Sequence, residues 1–503
     1  MKNIVLIMTL IVSCLFAGCD SLANKSEDKL SGDDFWAQGN ETNAEAFLLS
    51  IYNSFRNATM SQRPFLTYSG DMRCAPITAY RPGDYKYVAF LANNDMSGLR
   101  NTFPDDSRGG LIMQWDVFYN AIQDANILLA EIDKVPRMDQ LKRNRFKAEA
   151  IFMRNLSYFF IVRAFGDVPY YTNAYNEAPL PRTNMVIVLQ NCLADLQSLL
   201  DDDPGAEVLP WSYSSYSSKG IRASRGSVIA LMMHINLWLV QFDAKNKEQY
   251  YRNVVSLGEE LERNNGAYSL LDIQRSSVIF AGGSDEGLFE IAQNINFNEI
   301  FMANAKFSDN VSYSCLKDKS TPIFSYSGDY LMTLFPMFEE DARKELWFDE
   351  SIYSTSTSIP KEIKKFWNID TYGNGEITSN SGNQIVFRYA DALLLYAEAL
   401  AALGTNDTKA CELLNRIRNR AHASEINASG SELMDAIFWE RCRELIGEGH
   451  YYYDLVRTGK VYDRNYCMNP MTRTNFNVGA WTWPIHRNAL KNNTLIGLNL
   501  FWE

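Results

Sequence analysis

The stretch "RYADALLLYAEALAALG", Arg388 to Gly404, sets three charged side chains, Arg388, Asp391 and Glu398, among Ala, Leu and Tyr. Two carboxylates in an apolar setting invite a general acid/base reading. On a 3.6-residue period Arg388, Asp391, Leu395, Glu398 and Ala402 line one narrow stripe, and the other faces are Ala, Leu or Tyr, which predicts a helix buried on most sides. Seven residues of helix put the Asp391 and Glu398 Cα atoms about 10 Å apart along the axis. A retaining glycosidase needs carboxyl groups about 5 Å apart and an inverting one roughly 6.5 to 9.5 Å. Side chains fixed on one helix do not close that gap, so the stripe reads as structural clamps. Arg388 and Asp391 form an i,i+3 pair on this reading, with Arg416, Arg418 and Arg420 of the following segment available for the remaining charge. Gly404 stops the helix as a C-cap.

Other catalytic patterns are missing. The chain has no P-loop, no GxGxxG, no HExxH and no GxSxG elbow; "GGSDEG" at residues 282–287 fails because Glu286 stands where the second glycine belongs. A two-carboxylate glycosidase has no short signature and is not excluded by that survey. The four histidines, His234, His422, His450 and His486, are scattered singly, which gives a histidine-built metal site little support. No cofactor is implied.

Binding chemistry has more to work with. A sugar presents apolar C–H faces and a hydroxylated rim, so a glycan site needs aromatic planes flanked by Asn, Asp and Arg. The segment around 66–106 supplies Asp71, Arg73, Tyr80, Arg81, Tyr85, Tyr87, Asn93, Asn94 and Arg100. A second region adds Tyr313, Trp347, Tyr353 and Trp367. The competing reading is that these rings fill a small core under the loops, since large aromatics are mostly buried. Tyr451, Tyr452 and Tyr453 follow a long helical block and read as packing.

The elements that must position these residues are helical. Apolar residues recur at helical spacing over about 43–57, 110–133, 140–165, 184–202, 223–243, 248–264, 386–404, 407–422 and 430–447. Short connections such as "KVPRMDQ" and "GTNDT" imply antiparallel hairpins, and their succession suggests a helical repeat scaffold. Two irregular regions, about 66–106 and 265–385, are rich in Gly, Ser, Asn, Pro and aromatics, and short strands and turns are expected there. The fold class is therefore all-α dominated: a helical hairpin scaffold with long loop-rich insertions.

Composition narrows the partners. Of 503 residues, 46% are hydrophobic, enough for a substantial core, and 48 Lys+Arg against 60 Asp+Glu leave a net charge of −12, which repels nucleic acid and anionic lipid. Residues 1–18 read as a signal peptide: Lys2, an apolar run from Ile4 to Phe16, then Ala17-Gly18 before Cys19, a lipobox-like end with Phe16 at the usual Leu position. Cys19 is the expected lipidation site; "IVSC", ending at Cys14, is a poorer fit because it shortens the apolar run. Residues 19–31 read as a flexible tether. No later segment has the ~20 apolar residues of a membrane span. The other cysteines, Cys74, Cys192, Cys315, Cys411, Cys442 and Cys467, are far apart and read as buried small hydrophobes more than as a disulfide framework.

Four motifs in order carry a family likeness: the lipidated start from Cys19 to Phe55, "KAEAIFMRNLSYFFIVRAFGDVPYY" (Lys147 to Tyr171), the 388–421 hairpin with "LLNRIRNRA", and "WERCRELIGEGHYYYDLVRTG". The chain resembles the SusD/RagB family of outer-membrane nutrient-binding lipoproteins. It departs at Tyr451, where the family has Arg, and in its C-terminal ending "WPIHRNALKNNTLIGLNLFWE". The resemblance implies a right-handed tetratricopeptide-like scaffold, mainly 110–264 and 386–448, within one domain over 32–503. It further implies a cell-surface lipoprotein without catalytic activity, which captures an oligosaccharide and acts as lid to a SusC-like TonB-dependent transporter. Peptide binding, as in RagB-like members, a surface glycoside hydrolase, and an interaction scaffold are the alternatives.

Overall fold

In the computed structural model the described residues are 32–60, 65–79, 86–103, 110, 112–264, 266–297, 299, 324–348, 350–354, 363–366, 369–372, 377–380 and 382–503. The signal peptide, the tether and Cys19 lie outside them.

Helix starts follow local hydrogen bonding. Asn40 and Asn43 form a reciprocal capping box at the head of α1 (Glu41–Thr59), which α2 (Asp116–Glu131) packs against. Asp139 caps α3 (Gln140–Phe165), accepting the Lys142 N–H, and α3 stops at Gly166 with φ 74°. Asn184 caps α4 (Met185–Asp201), and Ser224 and Ser227 form the box of α5 (Arg225–Phe242). The series continues with α6 (Lys247–Arg263), α7 (Tyr389–Leu403), α8 (Asp407–Arg420, capped by Asn406), α9 (Gly430–Glu444) and the short α10 (Tyr451–Arg457).

Each helix packs on its predecessor: α1 on α2, α2 on α3, α3 on α4, α4 on α5, α5 on α6, α7 on α8. The same stacking carries α6 onto α7, although residues 264–388 intervene in the chain. Gly258 makes that approach possible, because a Cβ there would lie 2.4 Å from the Tyr396 ring. The result is a tetratricopeptide-like array of hairpins with its second insertion looped out between two neighbouring helices, as expected. α5 runs through the centre, buried from Arg225 to Val240 and apolar on nearly all sides. No single helix among the described residues is long and apolar enough to cross a membrane.

Among the described residues three two-stranded antiparallel ribbons organise the insertions. β1 (Ile77–Ala79) pairs with β3 (Phe324–Tyr326), Ile77 opposite Tyr326, so the two insertions meet. β2 (Gly287–Ile291) pairs with β6 (Gln384–Arg388) with register shifts around Phe289, and closes the base of the second insertion. β4 (Ile369–Tyr372) pairs with β5 (Ile377–Asn380). The first insertion holds the short strand β1, as expected, and also helical pieces that were not expected of it. It holds a wide helical turn over Leu66–Met72 and helices at Lys86–Ala92 and Met96–Thr102, the first burying Tyr87 and Leu91 at i,i+4 and the second Met96 and Leu99 at i,i+3.

Candidate functional site

The charged stripe is built from different partners than its spacing suggested. Arg388 is the last residue of β6 and precedes α7, so it does not pair with Asp391. Its guanidinium donates to Glu448 (2.7 and 2.8 Å), to Glu286 (2.7 Å) and to Glu444 (2.7 Å). Arg420 joins this cluster through Glu286 and Glu444, Arg343 bonds Glu444 and Asp341, and Lys365 donates to Glu448 at 2.6 Å. Arg418 goes instead to Glu440 and Arg416 to Glu262, away from the stripe. Asp391 accepts from Arg441 and from His234 Nε2, each at 2.7 Å. Glu398 is held by both terminal nitrogens of Arg457.

Electrostatics agree with clamping. Burial alone would raise the Glu444 carboxyl, yet Arg420, Arg388 and Arg343 hold it well below the usual carboxylate range. Asp391 is likewise kept low against its burial by His234 and Arg441. A general acid needs the opposite shift. These groups are paired, and they tie β6, α7, α8, α9 and α10 together.

One grouping escaped the sequence reading. Ligand atoms of His234, Asp391 and His450 lie within 4.8 Å of one another, all buried, on α5, α7 and the residue before α10. Both Asp391 oxygens are already engaged, by Arg441 and His234, and Arg163 and Arg441 add positive charge beside the imidazoles. A cation would have to displace these bonds, so the trio reads as a packing junction.

Four of the expected ligand contacts are interior. Arg73 is 0% exposed. It donates to the carbonyls of Ala480 (2.6 Å), Trp481 (2.7 Å) and Thr482 (3.0 Å), and lies over the Tyr452 ring at 4.5 Å. Asp71 is buried with its carboxylate accepting the Gly449 N–H at 2.7 Å. At that contact Gly70 has no room for a side chain, since a Cβ would lie 2.0 Å from the Gly449 carbonyl oxygen. Tyr87 is buried against Tyr68 and Phe103, and Trp347 beneath Lys365, whose ammonium is 4.3 Å from the ring. These four side chains fill the small core under the insertions and do not face a ligand, as the burial of large and bonded side chains favours. Tyr451, Tyr452 and Tyr453 are packing residues too, Tyr452 donating to the Trp481 carbonyl at 2.7 Å. Tyr80, Arg81, Tyr85, Tyr313 and Trp367 lie outside the described residues.

Asn93, Asn94 and Arg100 remain at the surface, Arg100 half-buried with a long bond to the Trp502 carbonyl. Asn93 and Asn94 line a cleft of about 430 Å³ between the first insertion and the C-terminal segment. Its other wall holds Arg464, Met468, Asn469, Thr472, Asn475 and Phe501. Asn94 Oδ1 accepts from Arg73 Nε at 3.0 Å and Asn469 Nδ2 donates to the Ala92 carbonyl at 2.9 Å, so each keeps one half of its amide for a ligand. Arg464 and Asn475 are exposed. The sequence reading missed this wall, whose signal is the amide-rich run "NYCMNPMTRTNFN" at 465–477.

A larger cleft of about 930 Å³ lies beside the second insertion, lined by Met337, Phe338, Glu339, Glu340, Glu345, Tyr353 and His422 among others. Phe338 is 97% exposed there. Of the expected aromatics, Tyr353 reaches this cleft.

A family model described as the SusD family matches residues 350–502, and one described as "Starch-binding associating with outer membrane" matches residues 88–237. A SusD-like protein of Formosa agariphila is 25% identical over 99% of both chains. A crystal structure of a SusD homolog from Bacteroides thetaiotaomicron is 92% identical, covers 93% of this chain and 100% of its own, and superposes with a TM-score of 0.89. NanU of Bacteroides fragilis is 18% identical with a TM-score of 0.71 over 95% of this chain and 100% of its own, a likeness of fold.

Proposed function

The chain belongs to the SusD/RagB family and is a SusD-type nutrient-binding protein; from that premise we propose that it is a cell-surface lipoprotein binding an oligosaccharide. It is anchored through Cys19, holds one domain over residues 32–503, and passes its ligand to a SusC-like TonB-dependent transporter that it covers as a lid. Its work is capture without covalent chemistry.

The observation that carries the site is the cleft between Asn93 and Asn475. Amides and a guanidinium line it, each able to bond hydroxyl groups in both senses or donate to ring oxygens, and Phe501, Met468 and Met471 supply apolar surface for C–H faces. The β1/β3 ribbon adds support: residues 80–85 follow β1 directly and Tyr313 lies in the segment preceding β3, so of the remaining candidates Tyr80, Arg81, Tyr85 and Tyr313 flank one ribbon in sequence, and Trp367 does not. Affinity in the micromolar to millimolar range is expected of a shallow wet site.

The family-model description of starch binding and the outer membrane favours the glycan reading. The second cleft favours a peptide, because Glu339, Glu340 and Glu345 beside exposed Phe338 and Met337 would suit basic and apolar side chains. Arrays of oligosaccharides and peptides, read by calorimetry, separate the two, and peptide-only binding would overturn the first. Release of new reducing ends from a bound glycan, abolished by replacing a loop carboxylate, would overturn the non-enzymatic reading.

A further inference from the structure

The cleft between Asn93 and Asn475 offers more hydrogen-bond donors than acceptors. Asn94 Oδ1 is taken by Arg73 Nε at 3.0 Å, so the half of that amide left for a ligand only donates. Thr472 Oγ1 accepts the Asn475 N–H at 3.1 Å, which leaves its hydroxyl proton to give. Arg464 adds a guanidinium, all donor and no acceptor. On the other side, Asn469 has its Nδ2 on the Ala92 carbonyl and offers an oxygen, while Asn93 and Asn475 can each present an oxygen or an NH2 group.

Carboxylates, the usual strong acceptors for sugar hydroxyls, are missing from this wall. Among the described residues lining the cleft there is no Asp or Glu, whereas the larger cleft is lined by Glu339, Glu340, Asp341 and Glu345. The neighbours Asp95 and Asp463 are held by local backbone, Asp95 accepting the Gly98 N–H at 2.7 Å and Asp463 the Asn465 N–H at 2.9 Å. Arg464 is exposed and has no ion-pair partner among the described residues. Its backbone is nonetheless fixed, because the Tyr466 and Cys467 N–H groups both donate to the Asp463 carbonyl, at 3.1 and 2.9 Å, and close a turn around it.

We propose, on the glycan reading of this cleft, that its ligand is an oligosaccharide bearing anionic oxygens, a uronate carboxylate or a sulfate ester, and that Arg464 is the residue that selects the charge. Each hydroxyl of a neutral sugar brings a proton that needs an acceptor, and this wall is short of acceptors. A carboxylate or sulfate brings acceptors only. A guanidinium meets either group with paired, parallel N–H bonds, a geometry that an amide or an ammonium does not match. Phe501, Met468 and Met471 remain available for the C–H faces of the same sugar. The net charge of −12 works against an anion approaching the molecule as a whole, so the selection comes from contact with Arg464 and not from long-range attraction.

The test uses the full chain without its signal peptide, titrated calorimetrically with oligosaccharides matched in backbone and differing in charge. One pair is oligogalacturonate and its methyl ester; the other is carrageenan oligosaccharides and their desulfated form; maltooligosaccharides are the neutral reference. The expected result is that one charged probe binds more tightly than its uncharged counterpart, on the order of tenfold or more in Kd, and which pair shows it separates carboxylate from sulfate. Arg464→Gln should bring the charged form down to the affinity of the uncharged one without moving the melting temperature. Arg252→Gln, the same change of charge on the exposed side of α6, should leave the preference intact.

Equal binding of the charged and uncharged members of both pairs, tighter binding of maltooligosaccharides than of either charged probe, or a preference that persists in Arg464→Gln overturns the proposal and leaves the glycan reading in place. Absence of binding by every oligosaccharide counts against the glycan reading itself and removes the proposal with it, so the two failures are distinguishable.

Discussion

Arg388 and Glu448 meet as a bidentate pair, Nε to Oε2 at 2.7 Å and Nη2 to Oε1 at 2.8 Å, both residues about 1% exposed. The pair joins the end of β6 to the chain just after α9, and through Glu286 and Glu444 it reaches β2's approach and α9 itself. Arg388→Met would strand three carboxylates in the interior. It should destabilise the protein by about 3–5 kcal/mol, read as a fall in the urea midpoint. Arg388→Lys should recover little, since an ammonium cannot span both oxygens. A loss below about 1 kcal/mol for Arg388→Met would mean that water or Arg420 replaces it.

Acid should unfold the protein in two stages. Burial first, and then His234 and Arg441 against the opposing pull of Asp391, lower His450 to about 4. The unfolded chain takes up that proton near pH 6.5 and the folded chain does not, so this contribution is complete above pH 6.5 and is lost as pH falls to 4. It amounts to about 3 kcal/mol. Asp454, which burial alone would raise, is held at about 2 by Arg441 and Arg457, so its stabilisation is complete above about pH 4 and is lost between pH 4 and 2. In wild-type protein, stability should decline through both windows. His450→Gln should flatten the upper window and leave the lower one; an unchanged upper slope would assign it to other groups.

Glu290 works in the opposite sense. Burial raises its carboxyl to about 7, only partly offset by the Asn383 amide and the Gly283 N–H at 2.8 Å each. Its raised value means its stabilisation is complete below about pH 4.5 and is lost as pH rises through 7. Gln retains an oxygen for both donors and carries no charge. Glu290→Gln should therefore match the wild type at pH 5 and exceed it by about 1–3 kcal/mol at pH 8. Equal melting temperatures at both pH values would show that the carboxylate is already solvated.

The scaffold was legible because helical periodicity is local. The expected blocks at 140–165 and 184–202 appear as Gln140–Phe165 and Met185–Asp201, with Asp139 and Asn184 as caps. The stripe at Arg388, Asp391 and Glu398 was legible as clamping, since helix rise alone separates the carboxylates, but its partners were not. Glu286, Glu444, Glu448, Arg441 and Arg457 come from elements brought together only by the tertiary fold. The same limit governs the site. Loop composition marks Arg73 and Asn94 equally, yet the fold turns Arg73 inward onto three carbonyls and leaves Asn94 on the cleft wall. Arg464 and Asn475 are far from Asn94 in sequence, and nothing local announces that they share its cleft.

That separation makes the cleft testable by contrast. Arg464 and Asn475 are exposed, so Arg464→Ala and Asn475→Ala should leave the melting temperature within a degree or so of wild type. If the cleft holds the oligosaccharide, each should weaken binding by about 1–3 kcal/mol, on the order of tenfold or more in Kd. Arg73→Ala should behave the other way: it removes the brace beneath the same cleft, takes the guanidinium donor from the carbonyls of Ala480 and Thr482 and leaves the Trp481 carbonyl to Tyr452 alone, and lowers the melting temperature by several degrees. Calorimetric titration of the three variants with a glycan bound by the wild type separates contact from support. Undiminished affinity in both Arg464→Ala and Asn475→Ala would move the ligand off this cleft, and the flanks of the β1/β3 ribbon would then be the next place to substitute.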